Sequence, residues 1–127
     1  MNIIHNLYVC FCYSLTELSK WPQLQELRLS NNYLRSLEKT VFDATSTGGS
    51  TNSNHLRTID LSNNQLSSLH RSIFKESRHL DTLILANNTL TQLPDTLFDE
   101  VDALKVLGMV LNKISTMTIF GYKYFKY

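Results

Sequence analysis

The chain is poor in the residues that mark a specialised polypeptide. Its 127 residues include two cysteines, two prolines, four glycines and one tryptophan. Cys10 and Cys12 stand too close to bridge within one extended strand, so they make no disulfide framework. Charge of one sign is missing too: twelve basic and eleven acidic residues are spread along the chain for a net charge of +1. Such a balance gives no field to gather nucleic acid or anionic lipid, so a nucleic-acid partner is not expected. No stretch reaches the roughly 18 apolar residues a membrane span requires, so membrane insertion by these residues is not expected either.

Catalytic signatures are equally scarce. There is no G-x-S-x-G, no Walker loop and no H-E-x-x-H, and His5, His55, His70 and His79 show no ligand spacing among themselves. Gly48, Gly49 and Ser50 are followed by no lysine and have no strand-to-helix context, which reads as a plain loop. His5 with Cys10 and Cys12 is a weak trio for a metal and reads as packed or solvent-facing. The expectation is a protein without catalytic residues, cofactor or metal.

What remains is an ordinary folded composition, 43% hydrophobic and 18% charged, in a length suited to one domain. Its distinctive property is self-similarity. Leu24, Leu27, Leu29, Asn32, Leu34, Leu37, Val41 and Phe42 superpose on Leu56, Ile59, Leu61, Asn64, Leu66, Leu69, Ile73 and Phe74. The same template fits Leu80, Leu83, Leu85, Asn88, Leu90, Leu93, Leu97 and Phe98, then starts again at Leu104, Leu107, Met109, Asn112, Ile114 and Met117.

The last two intervals are 24 residues and the first is 32, so the first unit carries an eight-residue insertion. It falls in residues 45–54, a run of Ser, Thr, Asn and Gly that reads as a surface loop. The units are therefore 24–55, 56–79, 80–103 and a divergent 104–127, preceded by a decayed unit over residues 1–23. Residues 3–15 are apolar, but His5 and Asn6 interrupt them and no lysine or arginine precedes them, a poor match to a secretory signal. The tail of Tyr122, Lys123, Tyr124, Phe125, Lys126 and Tyr127 reads as a unit edge with solvated lysines.

Within each unit, L-x-x-L-x-L ends in the period-two alternation of a short strand with one buried face. Identical strands one period apart lie parallel and in register, joined by crossovers that return over the outside. One turn alone buries too little to fold, and stacking supplies the rest because each turn covers its neighbour's apolar flank. Asn32, Asn64, Asn88 and Asn112 recur where the chain leaves the strand. An amide carries two donors and an acceptor able to serve turn backbone groups that have no ladder partner, which predicts an asparagine ladder.

The string L-x-x-L-x-L-x-x-N-x-L-x-x-L-x-x-x-x-F resembles the leucine-rich-repeat family over residues 24 to 117. Its 24-residue period and its phenylalanine are similar to the subclass found in animal extracellular proteins such as Toll-type receptors, adhesion molecules and matrix proteoglycans. The resemblance implies an α/β solenoid: a right-handed coil with a short parallel sheet on its concave face, irregular or short helical convex segments, and a function in binding. Such arrays usually carry cysteine-rich caps, of which Cys10 and Cys12 are at most a remnant, which implies a fragment, a truncated product, or a chain whose uncapped ends are covered by a partner or by self-association.

The outward strand positions are Glu26, Arg28 and Ser30, then Thr58, Asp60 and Ser62, then Thr82, Ile84 and Ala86, then Val106, Gly108 and Val110. This face runs from charged to apolar. Arg28 should lie beside Asp60, an exposed pair of small energy. Candidate partner-binding residues are Arg28, Asp60, Thr82, Ile84, Val106 and Val110; the apolar strip of Ile84, Val106, Val110 and Leu111 is the place either for a protein partner, over the concave face or an exposed end repeat, or for abutting further repeats or a second copy of the chain. Asn87, Asn88 and Thr89 form an N-x-T sequon, making Asn87 a candidate glycan acceptor. The period, the phenylalanine and the sequon favour a receptor or adhesion module at the cell surface. Missing caps and a poor leader favour an intracellular scaffold.

Overall fold

A computed structural model of the chain describes residues 24–43 and 55–114. The decayed unit over residues 1–23, the loop of residues 45–54, and residues 115–127 with the aromatic tail lie outside these described residues. Four short strands are present: β1 (Glu26–Arg28), β2 (Thr58–Asp60), β3 (Thr82–Ile84) and β4 (Val106–Gly108). They form one parallel sheet in the order β1-β2-β3-β4. Leu27 stands beside Ile59, Ile59 beside Leu83 and Leu83 beside Leu107, so the aligned aliphatic positions become successive rungs.

The alternation in each strand sets its two faces. The central residue is buried and its neighbours point outward, as a period-two strand requires. Inward, Leu27, Ile59, Leu83 and Leu107 join Leu29, Leu61, Leu66, Leu85 and Leu90 in one continuous core. Ladder bonds run past the strand ends: Leu61 N–H donates to the Ile84 carbonyl (2.8 Å) and Leu85 N–H to the Gly108 carbonyl (2.7 Å).

On the opposite side Phe42, Phe74 and Phe98 stack in a row. Their centroids are 5.6 Å and 6.3 Å apart and the rings are within 12° of parallel. The convex segments are built of turns, and the described residues contain no helix. The bonds are of the i to i+3 kind, such as Ile73 N–H to the His70 carbonyl, Ser77 N–H to Phe74 and Leu97 N–H to Pro94. A helix needs consecutive i to i+4 bonds, and these short segments must instead turn repeatedly to carry Ile73, Phe74, Leu97 and Phe98 inward. Of the irregular and short helical alternatives, the irregular one is realised.

Candidate functional site

Each turn is tied to the next where the chain leaves the strand. Asn64 Nδ2 donates to the carbonyls of Leu61 (3.0 Å) and Ser62 (3.2 Å) in its own turn and Leu29 (2.9 Å) in the preceding one. Its Oδ1 accepts from Leu34 N–H at 3.1 Å. Asn88 repeats the arrangement with Leu85, Ala86 and Leu61 as acceptors and Leu66 N–H as donor. Asn112 follows with Leu85, Met109 and Leu90 N–H. Asn32 donates to Leu29 and Ser30 within its own turn. The asparagine ladder is therefore real, and it holds the exit of every strand in place. It thereby fixes the edge of the concave face.

The residue before each ladder asparagine has a left-handed backbone: Asn31 (φ 58°), Asn63 (φ 55°), Asn87 (φ 53°) and Leu111 (φ 59°). Asparagine tolerates that conformation because its short amide can bond locally, whereas leucine adopts it at a cost. Three turns thus use the tolerant residue and the fourth does not.

The concave face is the candidate site. Arg28 is beside Asp60, Asp60 beside Ile84, Ile84 beside Gly108, and Thr82 beside Val106. The strand register therefore brings Arg28, Asp60, Thr82, Ile84 and Val106 onto one surface, and Val110 continues it two residues past Gly108. The Arg28 and Asp60 side chains are adjacent in register, yet the guanidinium pairs at 3.4 Å with Glu26 on its own strand. Asp60 Oδ1 accepts instead from the amide (2.9 Å) and the hydroxyl (2.6 Å) of Ser62. The charged end of the face is thus bonded within single strands. Being solvent-exposed, the Arg28–Glu26 pair contributes about 0–1 kcal/mol.

The other end is apolar and open. Val106 is 39% exposed, Val110 63% and Leu111 74%. A side chain at Gly108 would place its Cβ 3.3 Å from Ile84 Cγ2, so the glycine leaves room for Ile84 beside it. Sequence alternation located Ile84, Val106 and Val110. It could not show the strained backbone under Leu111 or the close approach of Ile84 to Gly108.

The repeat also gathers groups that the motif survey set apart. His55 and His79 lie one period apart, and their rings meet edge to face with centroids 6.3 Å apart. Their 24-residue spacing was the signal, since equal positions in successive turns become neighbours. Lys75 Nζ pairs at 3.3 Å with Asp43, a buried carboxylate one turn earlier. Among the described residues, no three or more His, Cys, Asp and Glu side chains gather as a metal site. No helix among them is long and apolar enough to cross a membrane.

Comparison with known proteins agrees with this geometry. The leucine-rich-repeat family profile matches residues 54–117, and a second profile of the same description matches residues 23–44. The chain belongs to the leucine-rich-repeat family. Among solved structures, it is similar to a leucine-rich-repeat protein of Leptospira interrogans with a TM-score of 0.66 and 30% identity, over 91% of this chain and 26% of that one. It is also similar to TLR13, solved in complex with the single-stranded RNA ssRNA13, with a TM-score of 0.72 and 25% identity, over 90% of this chain and 16% of that one. This leucine-rich-repeat chain therefore spans a minor part of the length of either neighbour. No curated protein matches it.

Proposed function

We propose that this leucine-rich-repeat chain is a non-catalytic protein-binding module of the receptor or adhesion type, and that its partner docks on the apolar end of the concave face. The observation that carries the reading is the strip of Ile84, Val106, Val110 and Leu111 beside the half-buried Gly108 of β4. Exposed apolar area of this kind marks contact surfaces. Leu111 strengthens the case because it is solvent-exposed and also held in a costly left-handed conformation where the three preceding turns place asparagine. Backbone strain kept at an exposed apolar residue is the kind of outlier that points to use by a partner.

The TLR13 structure is a complex with RNA. Here the outward residues of β3 and β4 are Thr82, Ile84, Val106 and Gly108, with no cation to neutralise phosphate. A protein surface suits this strip better. The 24-residue period, the stacked phenylalanines and the sequon at Asn87 support a cell-surface setting over an intracellular scaffold.

The test compares the full chain with Ile84→Glu and Val110→Glu variants immobilised on a resin and exposed to a cell-surface protein extract. Retained proteins are identified by mass spectrometry, then purified and titrated. A protein held by the parent chain and released by both variants, with circular dichroism unchanged, is the expected result. Equal retention by all three folded chains, or salt-dependent retention of single-stranded RNA alone, overturns the assignment.

A further inference from the structure

We propose that the partner presents a lysine to this face, with its aliphatic stem over Ile84 and its ammonium on Oδ2 of Asp60. The proposal rests on the protein-binding reading above and names the chemistry that the partner must bring. Asp60 stands beside Ile84 in register and is half-buried. A protein seated on the apolar strip therefore takes water from Asp60 as well. A carboxylate desolvated without a cation is costly, so one partner has to satisfy both the strip and the charge.

The chain itself does not supply that cation. Arg28, the neighbour of Asp60 on the other side, pairs with Glu26 along its own strand. The outward charges of β1 thus cancel, and Asp60 is the one uncompensated charge among the outward residues of the four strands. Its Oδ1 accepts from both the amide and the hydroxyl of Ser62, which occupies both lone pairs of that oxygen and fixes the plane of the carboxylate. Oδ2 accepts no bond from the described residues.

This one-sided bonding selects among cations. A side-on arginine fork needs an open site on each carboxylate oxygen, and Oδ1 has none left. An ammonium is a point donor and needs only Oδ2. The four-carbon stem of lysine matches one strand spacing, about 4.8 Å, so a lysine rooted over the strip crosses Ile84 and ends at Asp60. On its other side Ile84 meets Gly108, which carries no side chain to cover it. The stem thus lies on apolar surface while the charged head meets the carboxylate.

The full chain and its variants are made in bacteria, so that the N-x-S tripeptide created by Asp60→Asn stays unmodified. The probe is a purified protein that the parent chain retains from the cell-surface extract and Val110→Glu releases. Calorimetry should give binding about tenfold or more weaker for Asp60→Asn, whose amide oxygen can still accept both Ser62 bonds. Acetylating the probe's lysines removes their charge and should cause a similar loss against the parent chain, with none further against Asp60→Asn. Reductive methylation, which keeps the charge, and a diketone that blocks arginine should leave the affinity unchanged. Parent-like affinity in a folded Asp60→Asn chain or for the acetylated probe overturns the proposal, and so does a loss on arginine blocking alone or one on acetylation that adds to that of Asp60→Asn. These outcomes leave the protein-binding reading intact, because Val110→Glu still releases the probe. That reading falls, and the lysine with it, when no protein distinguishes the parent chain from Val110→Glu.

Discussion

The side-chain amide of Asn87 donates to Oδ1 of Asn63 across 2.7 Å, joining residues that stand 24 positions apart. Both have left-handed backbones, and both precede a ladder asparagine. The coil therefore carries two asparagine rows: an inner one that satisfies backbone groups, and an outer one of Asn31, Asn63 and Asn87, in which Asn87 bonds to Asn63. At Leu111 the outer row gives way to an apolar side chain in the same backbone conformation.

Leu111→Asn should therefore stabilise the chain by about 0.5–1 kcal/mol, because asparagine tolerates the left-handed region better than leucine. A urea titration reads this as a higher midpoint at constant slope. The same variant should weaken capture of a protein partner. Lower stability would show that Leu111 is held by contacts worth more than its strain.

Asn64→Ala should cost about 1–3 kcal/mol, because it removes the acceptor of the Leu34 amide and one of the two asparagine donors to each of the carbonyls of Leu29 and Leu61. Gln65→Ala, which removes an exposed bond from Arg35 Nε, should stay within about 0.5 kcal/mol. Denaturation of the pair decides the matter, and equal losses would deny the ladder its structural role.

Phe74 is fully buried between Phe42 and Phe98. Phe74→Ala should cost about 3–5 kcal/mol, a large fraction of the stability of a domain this size. Phe74→Leu keeps much of the volume and should cost less than half as much. Thermal denaturation of the two variants measures the difference; similar losses would mean that the ring stack itself dominates over filled volume.

Gly108→Ala brings a methyl group to 3.3 Å from Ile84 Cγ2, so the neighbouring side chain must shift by a few tenths of an ångström. The substitution should be more harmful with Ile84 present than in an Ile84→Ala background. A double-mutant cycle should return a coupling of about 0.5 kcal/mol or more. Additive effects would show that the two positions relax independently.

The sequence by itself determined the coil. Leucines recurring in register have one common solution, in which like positions stack, and the four aligned aliphatics Leu27, Ile59, Leu83 and Leu107 duly occupy adjacent rungs. The same period announced the ladder, because a buried strand exit needs an amide to satisfy its backbone, and alternation announced which side chains face outward. Period alone does not specify how a side chain outside the template bonds once it is placed. Arg28 faced a choice between Asp60 across the sheet and Glu26 along its strand, and the structure pairs it with Glu26 while Asp60 accepts from Ser62. The left-handed turn under Leu111, the approach of Ile84 to Gly108 and the bond between Asn63 and Asn87 likewise come from the tertiary structure. Each is a matter of backbone angle or of contact distance between side chains, and a one-dimensional pattern carries neither.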